Sequence, residues 1–171
     1  MTDRGQRLVR ELIDAADGKI VGRIRLQKIV YLLEQLGLNS GFKFSYYHYG
    51  PYSEELAEAV DRAQFSDKSI LEETGHTAYG NPFSIYLASD NASETKNVGA
   101  LTFDESHRLI SRMKEEQSVI IELAATIHWL KEKENVADWR DELKRRKASK
   151  ADDAKILQAE RLLEALQLRH T

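Results

Sequence analysis

The sequence contains no cysteine, which excludes a disulfide framework, a thiolate nucleophile and a metal site with cysteine ligands. It also contains no run of 18 apolar residues, so it has no segment typical of a membrane-spanning helix. Residues 1–7 lack the apolar stretch of a secretory signal. Together these absences predict a soluble protein of the cytoplasm.

Sequence motifs of common enzymes are missing as well. Residues 18–23 contain glycines and cations, but their spacing does not match a phosphate-binding Walker loop. No G-x-S-x-G or H-E-x-x-H pattern occurs, and no two of the five histidines are four residues apart. We therefore expect no metal, no cofactor and no catalytic site, and the sequence predicts that the chain is not an enzyme.

Charge is plentiful but unevenly distributed. Charged residues make up 31% of the chain and hydrophobic residues 42%, which is enough for one core, so we expect a single domain over residues 1–171. The net charge is +3 in residues 1–50, −6 in residues 51–100 and zero in the remainder. This is not the basic footprint of a typical nucleic-acid-binding protein.

Apolar periodicity predicts a mainly helical α+β chain. Two helices come first, beginning near Leu8 and Arg23, and a strand of alternating residues follows at 42–49 and ends at Gly50 and Pro51. Ser53 is a candidate cap for a third helix. A β-hairpin is expected from runs at 69–74 and 82–88, and four helices should follow at 102–116, 119–130, 137–147 and from Ser149 onward.

The predicted order resembles a winged helix with a permuted strand, followed by four helices. Residues 1–88 would form the α+β part and residues 102–168 the helical part, joined by a polar loop at 89–101. In a winged helix that binds DNA, the helix before the wing enters the major groove. Here residues 53–62 hold four acids and one base, so phosphates would repel this helix and the scaffold suits a protein partner better.

The densest cluster of aromatic side chains precedes that helix. Tyrosine combines a large apolar surface with a polar tip and is therefore common at interfaces. The alternative interpretation is a strand whose inward tyrosines pack in the core, and the alternation permits both. The predicted partner-binding residues are Tyr47, His48, Tyr49, Gly50, Pro51, Tyr52 and Ser53.

A second candidate contact surface is basic. It could meet phosphate or an acidic partner, or it could simply be a solvated helix end whose charges complement the helix dipole. Flanking acids and the lack of interleaved aromatics favour the solvated helix end. The residues are Lys144, Arg145, Arg146, Lys147 and Lys150.

Two segments resemble a known family when they are taken together. Residues 22–33 are similar to a G-R-x-x-L-Q-K helix, and residues 47–56 are similar to a Y-x-Y-G-P-Y-S-x-x-L strand, turn and helix. The pairing resembles the SocA-like, or Panacea-domain, antitoxins and their YwgA-like relatives. His128 and Trp129 are adjacent, whereas the Panacea pattern separates the histidine from the tryptophan, which favours the YwgA-like relatives. The matching motif positions are Arg23, Leu26, Gln27, Lys28, Tyr49, Gly50, Pro51, Tyr52 and Ser53.

The resemblance implies a prokaryotic module of a toxin–antitoxin system that neutralises or regulates a partner protein, such as a cognate toxin, by binding it. One alternative is a winged-helix DNA-binding regulator that uses Arg23, Arg25 and Lys28, or the basic run. Another is an enzyme with a scattered site around its histidines. We also expect Gln27 to form a hydrogen bond with the backbone near Gly50 and Pro51 and so fix the turn. The scattered site would involve His48, His76 and His128.

Overall fold

A computed structural model describes residues 2–89 and 94–168. Its first half alternates helices with short strands, because apolar residues at helical spacing are separated by glycine-rich turns. The elements are α1 (Thr2–Ala15), β1 (Lys19–Val21), α2 (Arg23–Gln35), β2 (Ser45–Tyr47), β3 (Gly50–Tyr52), α3 (Glu54–Phe65), β4 (Ile70–His76) and β5 (Pro82–Ala88).

The second half is almost entirely helical, so the prediction of a mainly α, α+β fold is confirmed. A π-helical turn continues α5, and a 3₁₀ turn separates the last two helices. The elements are β6 (Asn97–Val98), β7 (Leu101–Thr102), α4 (Phe103–Lys114), α5 (Ser118–His128), the π turn (Trp129–Lys133), α6 (Trp139–Lys147), the 3₁₀ turn (Ala148–Lys150) and α7 (Asp153–Ala165).

The strand order corrects the expected permuted winged helix. β1 pairs with β5 in antiparallel register, with Ile20 opposite Tyr86, and gives the order β1-β5-β4. The third strand of the sheet therefore lies between α1 and α2, as in an ordinary winged helix. Sequence patterning missed β1 because three residues are too few to show an alternation.

The predicted strand at 42–49 is a short hairpin instead. Within the predicted range 42–49, only the residues of β2 form a strand. The next strand, β3, pairs with β2 in antiparallel register, with Tyr46 opposite Pro51 and Tyr47 opposite Gly50. Pro51 is tolerated in β3 because each strand of a two-stranded sheet has one edge without a hydrogen-bonded neighbour, and the N–H that proline lacks is not needed on that edge. The predicted alternation persists up to Tyr46: Phe42, Phe44 and Tyr46 are half-buried and the residues between them are exposed.

Caps at two helix starts match the sequence prediction and a third does not. The hydroxyls of Ser53 and Thr102 accept hydrogen bonds from the backbone at the starts of α3 and α4. The last helix, predicted to begin at Ser149, begins after Asp152, whose carboxylate accepts the Lys155 N–H at 2.8 Å. Ser149 lies in the 3₁₀ turn, and Asp152 is an equally favourable cap.

The core is centred on α2 and α5, which pack against each other. α5 also packs on α7, and α1 packs against both α3 and α4. Of the predicted polar loop at 89–101, residues 90–93 lie outside the described residues, and β6 and β7 pair within the remainder. Among residues 2–89 and 94–168, no helix is both long and apolar enough to cross a membrane.

Candidate functional site

Two adjacent polar residues of α2 hold the β2–β3 hairpin in place. Gln27 pairs with the Ser53 backbone at both ends of its amide: its NH₂ donates to the Ser53 carbonyl and its oxygen accepts the Ser53 N–H, both at 2.9 Å. The Lys28 ammonium donates to the Pro51 carbonyl at 2.7 Å. The expected Gln27 bond to the turn is therefore present, at Ser53. The motif residues of α2 and of the hairpin form one braced unit.

Burial of Lys28 changes its chemistry. The side chain is 1% exposed. Burial lowers the pKa of Lys28 from 10.5 to about 8; the Glu122 carboxylate opposes this shift and the Lys147 ammonium adds to it. A partly deprotonated amine therefore lies beneath the hairpin at slightly alkaline pH.

Gly50 allows the hairpin to rest directly on α5. Its φ of +100° is a conformation that L side chains rarely adopt, and an added Cβ would lie 2.6 Å from the Thr126 hydroxyl oxygen. That hydroxyl donates to the Glu122 carbonyl at 2.9 Å. Only glycine fits this contact, which accounts for its place in the motif.

The motif residues of α2 and the hairpin surround a pocket of about 240 Å³ with a mostly apolar lining, which we call the tyrosine pocket. Tyr47 and Tyr49 are 52% and 48% exposed, and the Tyr47 ring contacts Tyr52 with centroids 5.5 Å apart. Gly50, Pro51 and Ser53 are buried beneath, and Leu26 lies in the core. The lining residues are Arg23, Ile24, Gln27, Lys28, Tyr47, His48, Tyr49, Tyr52 and Glu54.

An open groove of about 640 Å³, which we call the wing groove, adjoins this pocket. The pocket and the groove share Arg23, Ile24 and Tyr49. They therefore form one continuous concave surface between α2, the β2–β3 hairpin and the β4–β5 hairpin, which corresponds to the wing of a winged helix. The wing groove has two carboxylates in its lining, Glu72 and Glu122. Its other lining residues are Gly22, Arg25, Thr74, Pro82, Phe83, Ser84 and Ser118.

Most of the basic run is neutralised by nearby acids. Lys144 pairs with Asp153 at 2.7 Å, Arg145 pairs with Glu142, and Arg146 pairs with Glu134 at 2.8 Å. These contacts agree with the interpretation of a charged helix end rather than a surface that binds phosphate. They also hold the pKa of Glu142 down at about 2 and keep the pKa of Glu134 low.

The end of the basic run lies against the tyrosines of the hairpin. The Arg146 guanidinium carbon is 4.6 Å from the centre of the Tyr46 ring, and the Lys150 ammonium is 5.0 Å from the centre of the Tyr49 ring. Such contacts are attractive because the ring face is electronegative. The structure therefore joins two surfaces that the sequence presented as separate candidates.

Glu122 lies between the basic run and the tyrosine pocket. It is not among the site residues predicted from the sequence. Its side chain is 5% exposed and accepts from Lys147 at 2.8 Å, with Lys150 at 3.5 Å. A signal was present in the sequence, since Glu122 is the one acid within the apolar helix α5. Burial lowers the pKa of Lys147 even though Glu122 opposes the shift.

The three histidines of the predicted scattered site lie on different elements. His48 lies in the β2–β3 hairpin and lines the tyrosine pocket, and His76 is exposed at the end of β4. His128 is 8% exposed at the end of α5, where its Nδ1 and the Tyr31 hydroxyl share a hydrogen bond of 2.8 Å. Burial raises the pKa of Tyr31. His128 is therefore a buried residue with a side-chain hydrogen bond inside the core.

Comparison with known proteins gives two distant relatives. The chain is 26% identical over 110 residues to the uncharacterized protein YwgA of Bacillus subtilis, covering 64% of this chain and 65% of YwgA. This similarity supports the YwgA-like relation. No protein-family model matches the chain.

The second relative is a DNA ADP-ribosyl glycohydrolase of Thermus aquaticus, which is 25% identical over 142 residues. The match covers 77% of this chain but 36% of the glycohydrolase, so the chain spans about a third of that protein's length. This finding corrects the prediction that the chain is not an enzyme, because a relative that matches most of the chain carries the name of an enzyme.

Proposed function

We propose that this chain is a module that binds a partner protein, with the tyrosine pocket as its anchor site. One observation carries the proposal: motif residues about twenty positions apart line a single, mostly apolar pocket beside two half-exposed tyrosines. Fully buried apolar and aromatic anchors supply most of the binding energy at protein interfaces. An exposed pocket of this composition is well suited to receive such an anchor.

Rigidity of the hairpin supports the same function. Gln27 and Lys28 hold the backbone of Pro51 and Ser53 with three hydrogen bonds, and Gly50 rests on Thr126. A surface that is ordered before binding loses less conformational entropy when the partner arrives. This bracing gives the α2 motif a function: it holds the tyrosines in the conformation in which they bind.

The finer proposal is that binding neutralises or regulates the partner, as in an antitoxin. Its support is the resemblance of the α2 and hairpin motifs to the SocA-like and Panacea-domain families. The region similar to this chain makes up 36% of a longer relative, which is consistent with a module that occurs beside other activities. Neutralisation requires tight binding, of roughly nanomolar affinity or about −12 kcal/mol.

The experiment is affinity capture of the tagged full chain from its host, with quantitative mass spectrometry of what is bound. Tyr49→Ala and Tyr52→Ala should each weaken binding of the captured protein by about 2 kcal/mol or more, which is roughly thirtyfold. Tyr79→Ala is the matched control, because Tyr79 is 93% exposed and lies on the turn between β4 and β5. If each of the two pocket variants changes the binding free energy by less than about 0.5 kcal/mol relative to the wild type, this pocket is not the anchor site.

A second candidate is hydrolysis of ADP-ribose from DNA, and the observation that favours it is the 25% identity to a glycohydrolase of that name. Hydrolysis of a glycosidic bond commonly uses two carboxylates, one as the acid and one as the base or nucleophile. Glu72 and Glu122 line the same wing groove. These two residues are the candidate pair.

Release of ADP-ribose from an ADP-ribosylated oligonucleotide tests this candidate directly. Glu72→Gln should abolish the release while leaving the buried pair of Glu122 and Lys147 intact. Glu73→Gln is the control, since Glu73 is an exposed neighbour on the same strand. No release by the wild-type chain, or full release by Glu72→Gln, would rule out this use of the groove.

A further inference from the structure

Two lysines contact a single buried carboxylate beneath the β2–β3 hairpin. Glu122 accepts from Lys147 at 2.8 Å and has Lys150 at 3.5 Å, and its charge also acts on Lys28. Lys28 and Lys147 are buried, whereas the Lys150 side chain is 45% exposed. One negative charge cannot balance the two ammonium groups that contact it, so this cluster has an excess of positive charge that reaches solvent at Lys150.

Lys150 also lies beside the tyrosine pocket. Its ammonium is 5.0 Å from the centre of the Tyr49 ring, and Tyr49 lines the pocket. Arg23, the exposed cation that lines the pocket itself, already has Glu72 at 3.5 Å and the Tyr86 hydroxyl at 3.4 Å. The charge at Lys150 is therefore the less fully compensated of the two.

We propose that the tyrosine pocket receives an acidic segment of a partner protein, with a carboxylate at Lys150 and the neighbouring apolar side chain inside the pocket. The inference rests on the proposed binding function and specifies the chemistry of its partner. The tyrosine pocket, of about 240 Å³, has a mostly apolar lining, which suits the burial of one apolar side chain.

The surrounding charges favour an acidic peptide over a nucleic acid. An adjoining cavity of about 370 Å³, which shares Tyr52 and Glu54 with the tyrosine pocket, is lined by four carboxylates, those of Glu54, Glu58, Asp61 and Glu72. A chain of phosphates that crosses the pocket would meet this acidic surface and be repelled. A peptide needs its negative charge only at the Lys150 end, and the apolar lining then favours its uncharged part.

Selection of a displayed library of random dodecapeptides on the immobilised full chain tests the proposal. Enriched peptides should combine Asp or Glu with a large apolar residue. Lys150→Glu should weaken their binding by about tenfold or more, and raising the salt concentration should weaken it as well. Lys150→Arg should retain the binding, because it keeps the charge.

Lys155→Glu is the matched control for the charge reversal. Lys155 is 37% exposed and pairs with Asp152 at 3.3 Å, so it resembles Lys150 in exposure and pairing but lies on α7. Binding should be unchanged in this variant. Equal weakening by Lys155→Glu and Lys150→Glu would show a general effect of net charge and would overturn the proposed contact.

The outcomes separate this inference from the proposed function. Enriched peptides that need Tyr49 and Tyr52 but lack acids, or that bind Lys150→Glu normally, would overturn the acidic partner and support the binding module. Peptides that bind Tyr49→Ala normally would overturn both. Binding of a fifteen-nucleotide oligo(dT) through Lys150 at about 50 mM salt, with no peptide enriched, would assign the surface to nucleic acid and overturn both as well.

Discussion

At the scale of single residues, Gly50 connects the sequence motif to the shape of the site. The structure gives two separate reasons for glycine at this position, the positive φ and the close contact with Thr126. A sequence motif alone shows that glycine is present but not which of these reasons applies. Substitutions can separate the two.

Gly50→Ala should lower the free energy of unfolding by about 3 kcal/mol, from backbone strain and a clash with the Thr126 hydroxyl together. Gly80→Ala is the matched control, because Gly80 also has a positive φ (+85°) but no atom within 4 Å of an added Cβ. It should cost only about 1 kcal/mol. Urea unfolding measures both, and equal losses would show that the contact with Thr126 is unimportant.

Lys28 predicts a dependence of stability on pH. Its pKa is about 8 in the folded chain and 10.5 ordinarily, so between these pH values the unfolded chain holds more protons. The free energy of unfolding therefore rises with pH in this window, whereas below pH 8 both states are protonated and the dependence vanishes. Burial raises the pKa of Tyr31 and of Tyr46, which opposes the trend once unfolded tyrosines ionise near pH 10.

Between pH 7 and pH 9 we expect the free energy of unfolding to increase by about 1 kcal/mol from Lys28. Lys28→Met should show a smaller increase than the wild type over this range, whatever its absolute stability. Lys155→Met removes an exposed lysine instead and should retain the wild-type increase. Parallel curves for the wild type and Lys28→Met would mean that Lys28 keeps its ordinary pKa.

At the scale of elements, two of the ion pairs of α6 differ strongly in burial. The side chains of Lys147 and Glu122 are 3% and 5% exposed and join α6 to α5, whereas those of Lys144 and Asp153 are 42% and 82% exposed. Removal of one partner from a buried pair leaves an uncompensated charge, while exposed pairs contribute little. The same type of contact should therefore have unequal energetic weight.

Lys147→Met should lower the free energy of unfolding by about 2 kcal/mol, somewhat less than an isolated buried pair would lose, because Lys28 and Lys150 still neutralise Glu122. Lys144→Met should cost less than about 1 kcal/mol. Thermal and urea unfolding of the two variants measure the two losses in free energy of unfolding. A larger loss for Lys144→Met would contradict the assignment of Glu122 as the link between the helices.

The elements also show which features the sequence could predict. Helices such as α2 and the β4–β5 hairpin were predictable, because their period is repeated several times. β1 and β3 were not, since each has only three residues, and Pro51 was taken for the end of the strand although it lies inside a two-stranded ladder. The tyrosine pocket was predictable in part, because both of its motifs stood out in the sequence.

At the scale of the whole molecule, the unpredictable part of the site is its assembly from distant segments. The hairpin and the basic run are about a hundred residues apart, and the packing of α5 against α2, β3 and α6 brings Lys150 to Tyr49. Local patterns carry no information on such contacts. The same packing connects the two predicted sub-regions, 1–88 and 102–168, since α1 contacts α4 and α2 contacts α5.

Packing between the sub-regions predicts that the chain unfolds as one cooperative unit. The distribution of aromatic residues permits a direct test, because all seven tyrosines lie within residues 1–88 and both tryptophans lie within residues 102–168. Tyrosine absorbance therefore follows residues 1–88, and tryptophan fluorescence follows residues 102–168 together with the packing of Trp129 on Tyr31 and Tyr46. In urea the two signals should give the same midpoint and the same slope.

Further support would come from Lys147→Met, which replaces a residue of the helical half. It should shift the tyrosine and tryptophan transitions to lower urea by the same amount, because a shared core transmits the loss to residues 1–88. If the tryptophan transition moved and the tyrosine transition stayed in place, the two parts would be independent folding units. The tyrosine pocket would then rest on a half that folds without the basic run, and its contact with Lys150 would form only when the halves dock.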